Sequence, residues 1–392
     1  AGQSADGDAD RWPPAISVVI AAGGEPALLP GVLAPLAGAP GVVEVIVVDE
    51  RSDDAVGAIV RDYGAVTAGG DRPPRGWSST PWALQQGLVA SRGEIVVFLD
   101  PAVRPDPALP AAVTELLAPQ RDIERQLRAE AAPARGETAD FGDAAPARVQ
   151  RPVDLASAQL AVGRVGVAAR LLGPALRASF AYRLGPLTTL DRMPASLAAI
   201  NGQCFAARRD ALISAGGFAL VSSAAASDVA LARALAAAGW RIAIGDGTDL
   251  GVATDCDASA RNALREPAAA RFALSGAASR PRQLLDLGVV WVMQARPALA
   301  LWRMLAVAAY RRSPRAGLRE LRPRTVVLLA VRWGVQLGIS RAYRLAAGGR
   351  LPDPVAFAAP LADPVAFAAL VRGTFDARLR SRCARVRGLT RS

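Results

Sequence analysis

Between residues 15 and 100 short apolar runs alternate with segments of helical spacing, and few folds accept that order. AISVVIAA (15–22), VVEVIVVDE (42–50) and EIVVFLD (94–100) are rich in β-branched residues and bounded by Gly, Pro or charged residues, the signature of buried strands. EPALLPGVLAPLAG, DAVGAIVRDYG and PWALQQGLVASRG space their apolar residues as helices, the first imperfectly because of its prolines. Strand, helix, strand, helix, strand predicts an α/β fold with a parallel sheet and right-handed crossovers. Ligands of such sheets bind beyond the carboxyl ends of the strands. Asp49 and Asp100 stand at two of those ends and are candidate ligand contacts.

The residue types present remove whole classes of chemistry. The chain has no His and no Lys, so all 46 basic residues are Arg. Ser-His-Asp and Cys-His catalysis and His-ligated zinc are therefore excluded. Three cysteines without a CxxC spacing argue against a disulfide framework or a zinc site and favour a reducing compartment. With 392 residues, 52% of them hydrophobic, the chain is long enough to bury a large core.

Beyond the third strand the signals are weaker. Residues 118–151 are charged, rich in Ala and Pro and poor in large apolar residues, and read as a mobile insertion. LASAQLAVGRVGVAARLLGPALRASFAYRLG reads as helical throughout, and INGQCFAARRDALISAGGF as a strand followed by a short helix closed by Gly216-Gly217. In ASDVALARALAAAGWRIAIGD a helix ends at Gly239 and a strand follows, which sets Asp228 at the helix N-terminus, where an Asp also serves as an ordinary cap.

From about residue 283 the chain becomes a series of Trp-containing apolar stretches broken by Arg, whose uncharged runs fall short of the roughly 20 residues of a spanning helix. Residues 296–350 hold 12 Arg and one Glu, a local excess equal to the whole chain's +11. Apolar faces with flanking arginines predict helices in a membrane interface, drawn to anionic lipid. Plain packing against the first domain is the alternative reading. Nucleic acid is not an expected partner, because no nucleic-acid module is recognisable and aromatics make up only 5% of the chain. The repeated DPVAFAA (353–359 and 363–369) is too short for an architectural repeat. The expected division is a flexible segment 1–14, neither signal peptide nor membrane span, an α/β domain 15–255, a basic amphipathic region 256–350 and a tail 351–392.

ISVVIAA, VIVVDERSDD, PWALQQGLVASRGEIVVFLDPAVRPD, NGQCFAARRDAL…AGGF and SDVALARALAAAGWR follow one another in an order and spacing that resembles the family 2 glycosyltransferases of GT-A fold. The likeness is greatest to bacterial, membrane-associated carotenoid and hopanoid glycosyltransferases. It implies a nucleotide-sugar donor, a lipid-like acceptor and inversion at the anomeric carbon, at the cytoplasmic face of the cell membrane. Carried over by position, Asp49, with Glu50 and Ser52 beside it, binds the nucleobase and ribose. Asp100 matches the first carboxylate of the Asp-x-Asp motif, which contacts the ribose and a divalent cation, Mg²⁺ or Mn²⁺. Asp228 matches the general base, and Trp82, Asn201 and Gln203 lie on the acceptor side.

Two positions depart from the family pattern. Ala102 replaces the second Asp of Asp-x-Asp, and Ser227 replaces the Glu before Asp228. A site reduced to one carboxylate holds a hard cation weakly. Two readings follow: either Arg104 and neighbouring arginines neutralise the diphosphate, or the chain is a catalytically degenerate paralogue that binds a nucleotide or a partner.

Overall fold

The computed structural model describes residues 14–22, 26–49, 54–69, 71–117, 153–162, 167–184, 195, 198–224, 227–253, 280–319, 321–346, 355 and 358–372. Eight strands form one mixed sheet in the order β3-β2-β1-β4-β7-β6-β8-β5. β1 (Ile16–Ala21), β2 (Val42–Val48), β3 (Val66–Ala68) and β4 (Ile95–Leu99) are mutually parallel, as the alternation predicts. Short helical turns including α1 (Leu29–Leu33), then α2 (Asp54–Asp62) and α3 (Ser79–Ala90), supply the crossovers. β5 (Val103–Pro105) follows β4 after a tight turn but pairs at the far edge of the sheet, and α4 (Leu109–Glu115) comes next.

The second half of the sheet is not parallel. β7 (Cys204–Arg208) runs antiparallel to β4, with Leu99 opposite Cys204 and Phe98 opposite Phe205. β6 (Leu155–Val162) lies antiparallel to β7 and parallel to β8 (Ile242–Ala253). That corrects the helical reading of LASAQLAV: its small residues carry no strand signature, and pairing on both edges decides their conformation. The helix of that stretch is α5 (Val167–Leu184). After β7 come α6 (Arg209–Ser214) and α7 (Ser227–Ala237). Gly216, at φ 100°, adopts the left-handed conformation that closes α6, as the Gly-Gly pair predicts.

β1 and β4 are buried on both faces, which is why they read as continuous apolar runs. On one face Val18, Ile20, Val97 and Leu99 pack with Leu29, Val32 and Leu36. On the other, Val19, Val96 and Phe98 meet Leu88, Phe205, Phe218 and Leu231. Phe98 stacks on Phe205 at 4.7 Å between ring centroids and meets Phe218 edge-on at 5.2 Å.

The carboxy-terminal helices form a layer against α5 and the β6–β8 part of the sheet. α8 (Arg280–Val290) continues through a π-helical turn (Trp291–Ala295) into α9 (Arg296–Tyr310), followed by α10 (Pro314–Leu318), α11 (Pro323–Ala346) and α12 (363–372). Leu172 and Leu176 of α5, Val290 of α8, and Ala366 and Leu370 of α12 make a third apolar cluster. Leu284–Tyr310 is long and apolar enough to cross a membrane by length and composition. The uncharged runs underestimate its length because the helix continues through Arg296 and Arg303.

Candidate active site

Register brings the candidate residues to one edge. β1 and β2 end level, at Ala21 and Val48, and β1 and β4 pair up to Ile20 and Leu99. Asp49 and Asp100 are therefore the next residues beyond the carboxyl ends of β2 and β4, the strands on either side of β1. Because β7 is antiparallel to β4, its beginning lies beside Asp100, and the Asp100 N–H donates to the Gln203 carbonyl at 3.0 Å. Asn201-Gly202-Gln203 is thus tied to the end of β4.

Asp228 reaches the same turn from the first turn of α7. A Cβ on Gly202 would lie 2.5 Å from Asp228 Oδ2 and 2.9 Å from its Cβ, so the carboxylate occupies the space a side chain at 202 would fill. Sequence reasoning passed over Gly202, whose signal was its place in NGQ. The structure thereby joins Asp100, the 201–203 turn and Asp228. Asp49 stands two strands from Asp100 on the same sheet edge and is almost wholly buried. Glu50 and Ser52 lie outside the described residues.

Asn201 is spent on architecture. Its Nδ2 donates to the Ala158 carbonyl (2.8 Å), its Oδ1 accepts from the Gln203 N–H (3.2 Å), and its N–H donates to Ser157 Oγ (2.9 Å). Ser157 Oγ in turn donates to the Cys204 carbonyl at 2.9 Å. β6, unrecognised in the sequence, is therefore what holds the turn. Cys204 is fully buried, and burial pushes its thiol up to about 12, which leaves it inert packing.

The turn after β4 answers why position 102 is not acidic. The Ala102 N–H donates to Asp100 Oδ1 at 2.8 Å, and Ala102 is 7% exposed. One oxygen of the single carboxylate is already engaged, and the next side chain faces packing. Arg104 donates through Nη1 to the Pro101 and Val103 carbonyls, both at 3.1 Å, so it braces this same turn. Its guanidinium lies over Gly31 of α1, where a Cβ would overlap it. Among the described residues no group of three or more His, Cys, Asp or Glu is placed to hold a metal ion.

Trp82 is fixed by its indole N–H, which donates to the Asp71 carbonyl at 3.0 Å, and by an edge-on contact with Trp77 at 5.2 Å. The Ser78 N–H donates to the Ser222 carbonyl at 2.7 Å, which anchors the start of α3 to the segment preceding α7.

A family model described as Glycosyltransferase like family 2 matches residues 13–248, more than half of the chain. Among solved structures, the mannosyltransferase PcManGT from Pyrobaculum calidifontis, in complex with GDP-Man and Mn²⁺, is 18% identical with a TM-score of 0.45, covering 93% of this chain and 88% of that one. Glucosyl-3-phosphoglycerate synthase from Mycobacterium tuberculosis, in complex with Mn²⁺, UDP and glucosyl-3-phosphoglycerate, is 19% identical with a TM-score of 0.40, covering 67% of this chain and 78% of that one. No match was found among curated proteins.

Proposed function

Because the chain belongs to the glycosyltransferase-like family 2, we propose that it moves a hexosyl group from a nucleotide-sugar donor to a hydroxyl of a lipid-like acceptor at the cytoplasmic face of the cell membrane. The observation that carries this reading is the meeting of Asp100, the 201–203 turn and Asp228 at the carboxyl ends of the parallel strands. Asp49, with Glu50 and Ser52, takes the nucleobase and ribose, and Asp100 the ribose. Asp228 accepts the proton of the acceptor hydroxyl as its oxygen bonds to the anomeric carbon. The bond to the diphosphate breaks on the opposite side, the nucleoside diphosphate leaves, and the configuration inverts. Gln203 and Trp82 line the acceptor side, with Asn201 holding the wall in place.

The mannosyltransferase and the synthase named above were solved with Mn²⁺. Here the donor set does not fit a protein-built cation site: the Asp100 turn has one carboxylate, with one oxygen engaged by the Ala102 N–H. Arg104 supports the site by bracing the Pro101 carbonyl and thereby the turn that presents Asp100. The altered Asp-x-Asp also favours a second reading, a degenerate paralogue that binds nucleotide without transfer.

Asp228→Asn separates the two. Under the transfer reading, turnover with the best donor of a UDP-, GDP- and TDP-sugar panel falls by roughly 10²–10⁴ while nucleotide affinity is kept. Turnover equal to the parent's would remove Asp228 from the mechanism. Nucleotide binding with no turnover in the parent protein would establish the second reading.

A further inference from the structure

The helix that runs from α8 through the π turn into α9 has two unlike sides. In the most apolar 18-residue window of its stretch Leu284–Tyr310, with mean hydropathy 1.4, only 33% of the residues are buried, whereas the core helix of a soluble domain is mostly buried. Leu284, Trp291, Leu299, Trp302 and Leu305 are exposed, as is Val327 on α11. Trp302 is half-exposed, yet its indole N–H already donates to the Leu361 carbonyl at 2.9 Å. A ring whose one polar group is satisfied by protein loses no hydrogen bond when hydrocarbon replaces water around it.

The other side is held by polar groups. Gln294, in the π turn and fully buried, donates through Nε2 to the Ala175 carbonyl of α5 (2.9 Å) and to Asp363 Oδ1 (3.3 Å). Asp363 receives the Arg332 fork, Nε to Oδ2 at 2.8 Å and Nη2 to Oδ1 at 3.0 Å, and Arg332 Nη1 donates to Gln336 Oε1 at 3.0 Å. A helix that left this layer to span a bilayer would carry Gln294 into hydrocarbon and strip a partner from a buried ion pair.

Charge marks what covers the apolar side. Arg311 and Arg312 in the turn after α9, Arg315 on α10, and Arg319 and Arg322 between α10 and α11 are all exposed. Arg312 sits at φ 49°, the one non-glycine residue with positive φ among those described. The Arg312 N–H donates to the Ala309 carbonyl (3.2 Å) and the Ser313 N–H to the Ala308 carbonyl (3.0 Å), the helix ending at which glycine is usual. A second copy of the chain on this face would bring two arginine turns together, whereas an anionic surface would neutralise one.

We propose that the exposed face of α8–α9 and α11 is a docking surface for an anionic lipid bilayer, and that Leu284–Tyr310 lies in the headgroup plane instead of crossing it. The inference deepens the membrane part of the function proposed above. It is tested without donor or acceptor, so its failure is distinguishable from failure of transfer. The full chain is floated with phosphatidylcholine vesicles, alone or with about one part in four phosphatidylglycerol. The expected result is binding to the anionic vesicles only, weakened at least tenfold between about 0.05 and 0.5 M salt, with release by alkaline carbonate. Trp302→Glu with Leu305→Glu should weaken binding at least tenfold. Arg312→Gly should weaken it about fivefold without lowering the melting temperature, because glycine relieves the backbone while removing the charge. Equal binding to neutral vesicles, retention through carbonate, or a dimer in lipid-free solution that Trp302→Glu dissociates would each overturn the proposal.

Discussion

Gly202 has no side chain, and the Asp228 carboxylate uses the vacant space. Gly202→Ala should push that carboxylate aside and cost turnover about tenfold to a hundredfold, since small displacements of a catalytic group are expensive; nucleotide affinity should hold, and a calorimetric titration checks it. Ala102→Asp brings a charge to a buried position whose N–H is bound to Asp100. It should lower stability by about 1–3 kcal/mol and leave nucleotide binding unresponsive to Mn²⁺, as a thermal-shift titration would show. Asp363 titrates for a different reason: burial pushes its carboxyl up to about 6, outweighing the opposing help of Arg332 and Gln294. Because the folded value lies above the ordinary 3.8, its contribution to stability is full below about pH 4 and is lost as pH rises through about 6, on the order of 3 kcal/mol in all. A carboxyl NMR titration of Asp363 with its midpoint at or below 4 would refute this.

At the scale of elements, β6 is the piece on which the site depends and the piece the sequence conceals. Ser157→Ala removes the hydroxyl that links the Asn201 N–H to the Cys204 carbonyl. It should cost about 1–3 kcal/mol by stranding those buried groups and reduce turnover through the 201–203 turn, measured by denaturant unfolding beside activity. The parallel half of the sheet was legible: β1 and β4 are buried on both faces and β2 over its last three residues, so their apolar runs are unmistakable, and their ends mark Asp49 and Asp100 as candidates. Asp228 was legible as the start of a helix closed by Gly239. What could not be read was the antiparallel turn of β7, β6 and the far edge at β5. Their residues are small or few, and their conformation is decided by partners distant in the chain. The π turn escaped for a similar reason, since Gln294 is recognisable as buried only once α5 and Asp363 surround it.

On the scale of the whole molecule, the carboxy-terminal layer is no detachable appendage. Ending the chain at residue 282 would remove Val290, Ala366 and Leu370 from the cluster that covers Leu172 and Leu176. Such a truncate should aggregate on size-exclusion chromatography where the full chain elutes as a defined species, because α5 would be left with a bare apolar face. The strand order has a further effect, on the chain as it is made. β4 must wait for β7, the partner of its outer edge, until Cys204–Arg208 has been synthesised. At ribosomal speeds the intervening hundred-odd residues take roughly five to twenty seconds. Throughout that interval Ile95–Leu99 shows an unpaired, wholly apolar edge. A nascent chain halted near residue 200 should therefore recruit a holdase far more strongly than one halted past residue 253, when β8 has emerged and the sheet can close. The same antiparallel strand that ties the 201–203 turn to β4 should thus leave the newborn protein in need of protection while it is translated.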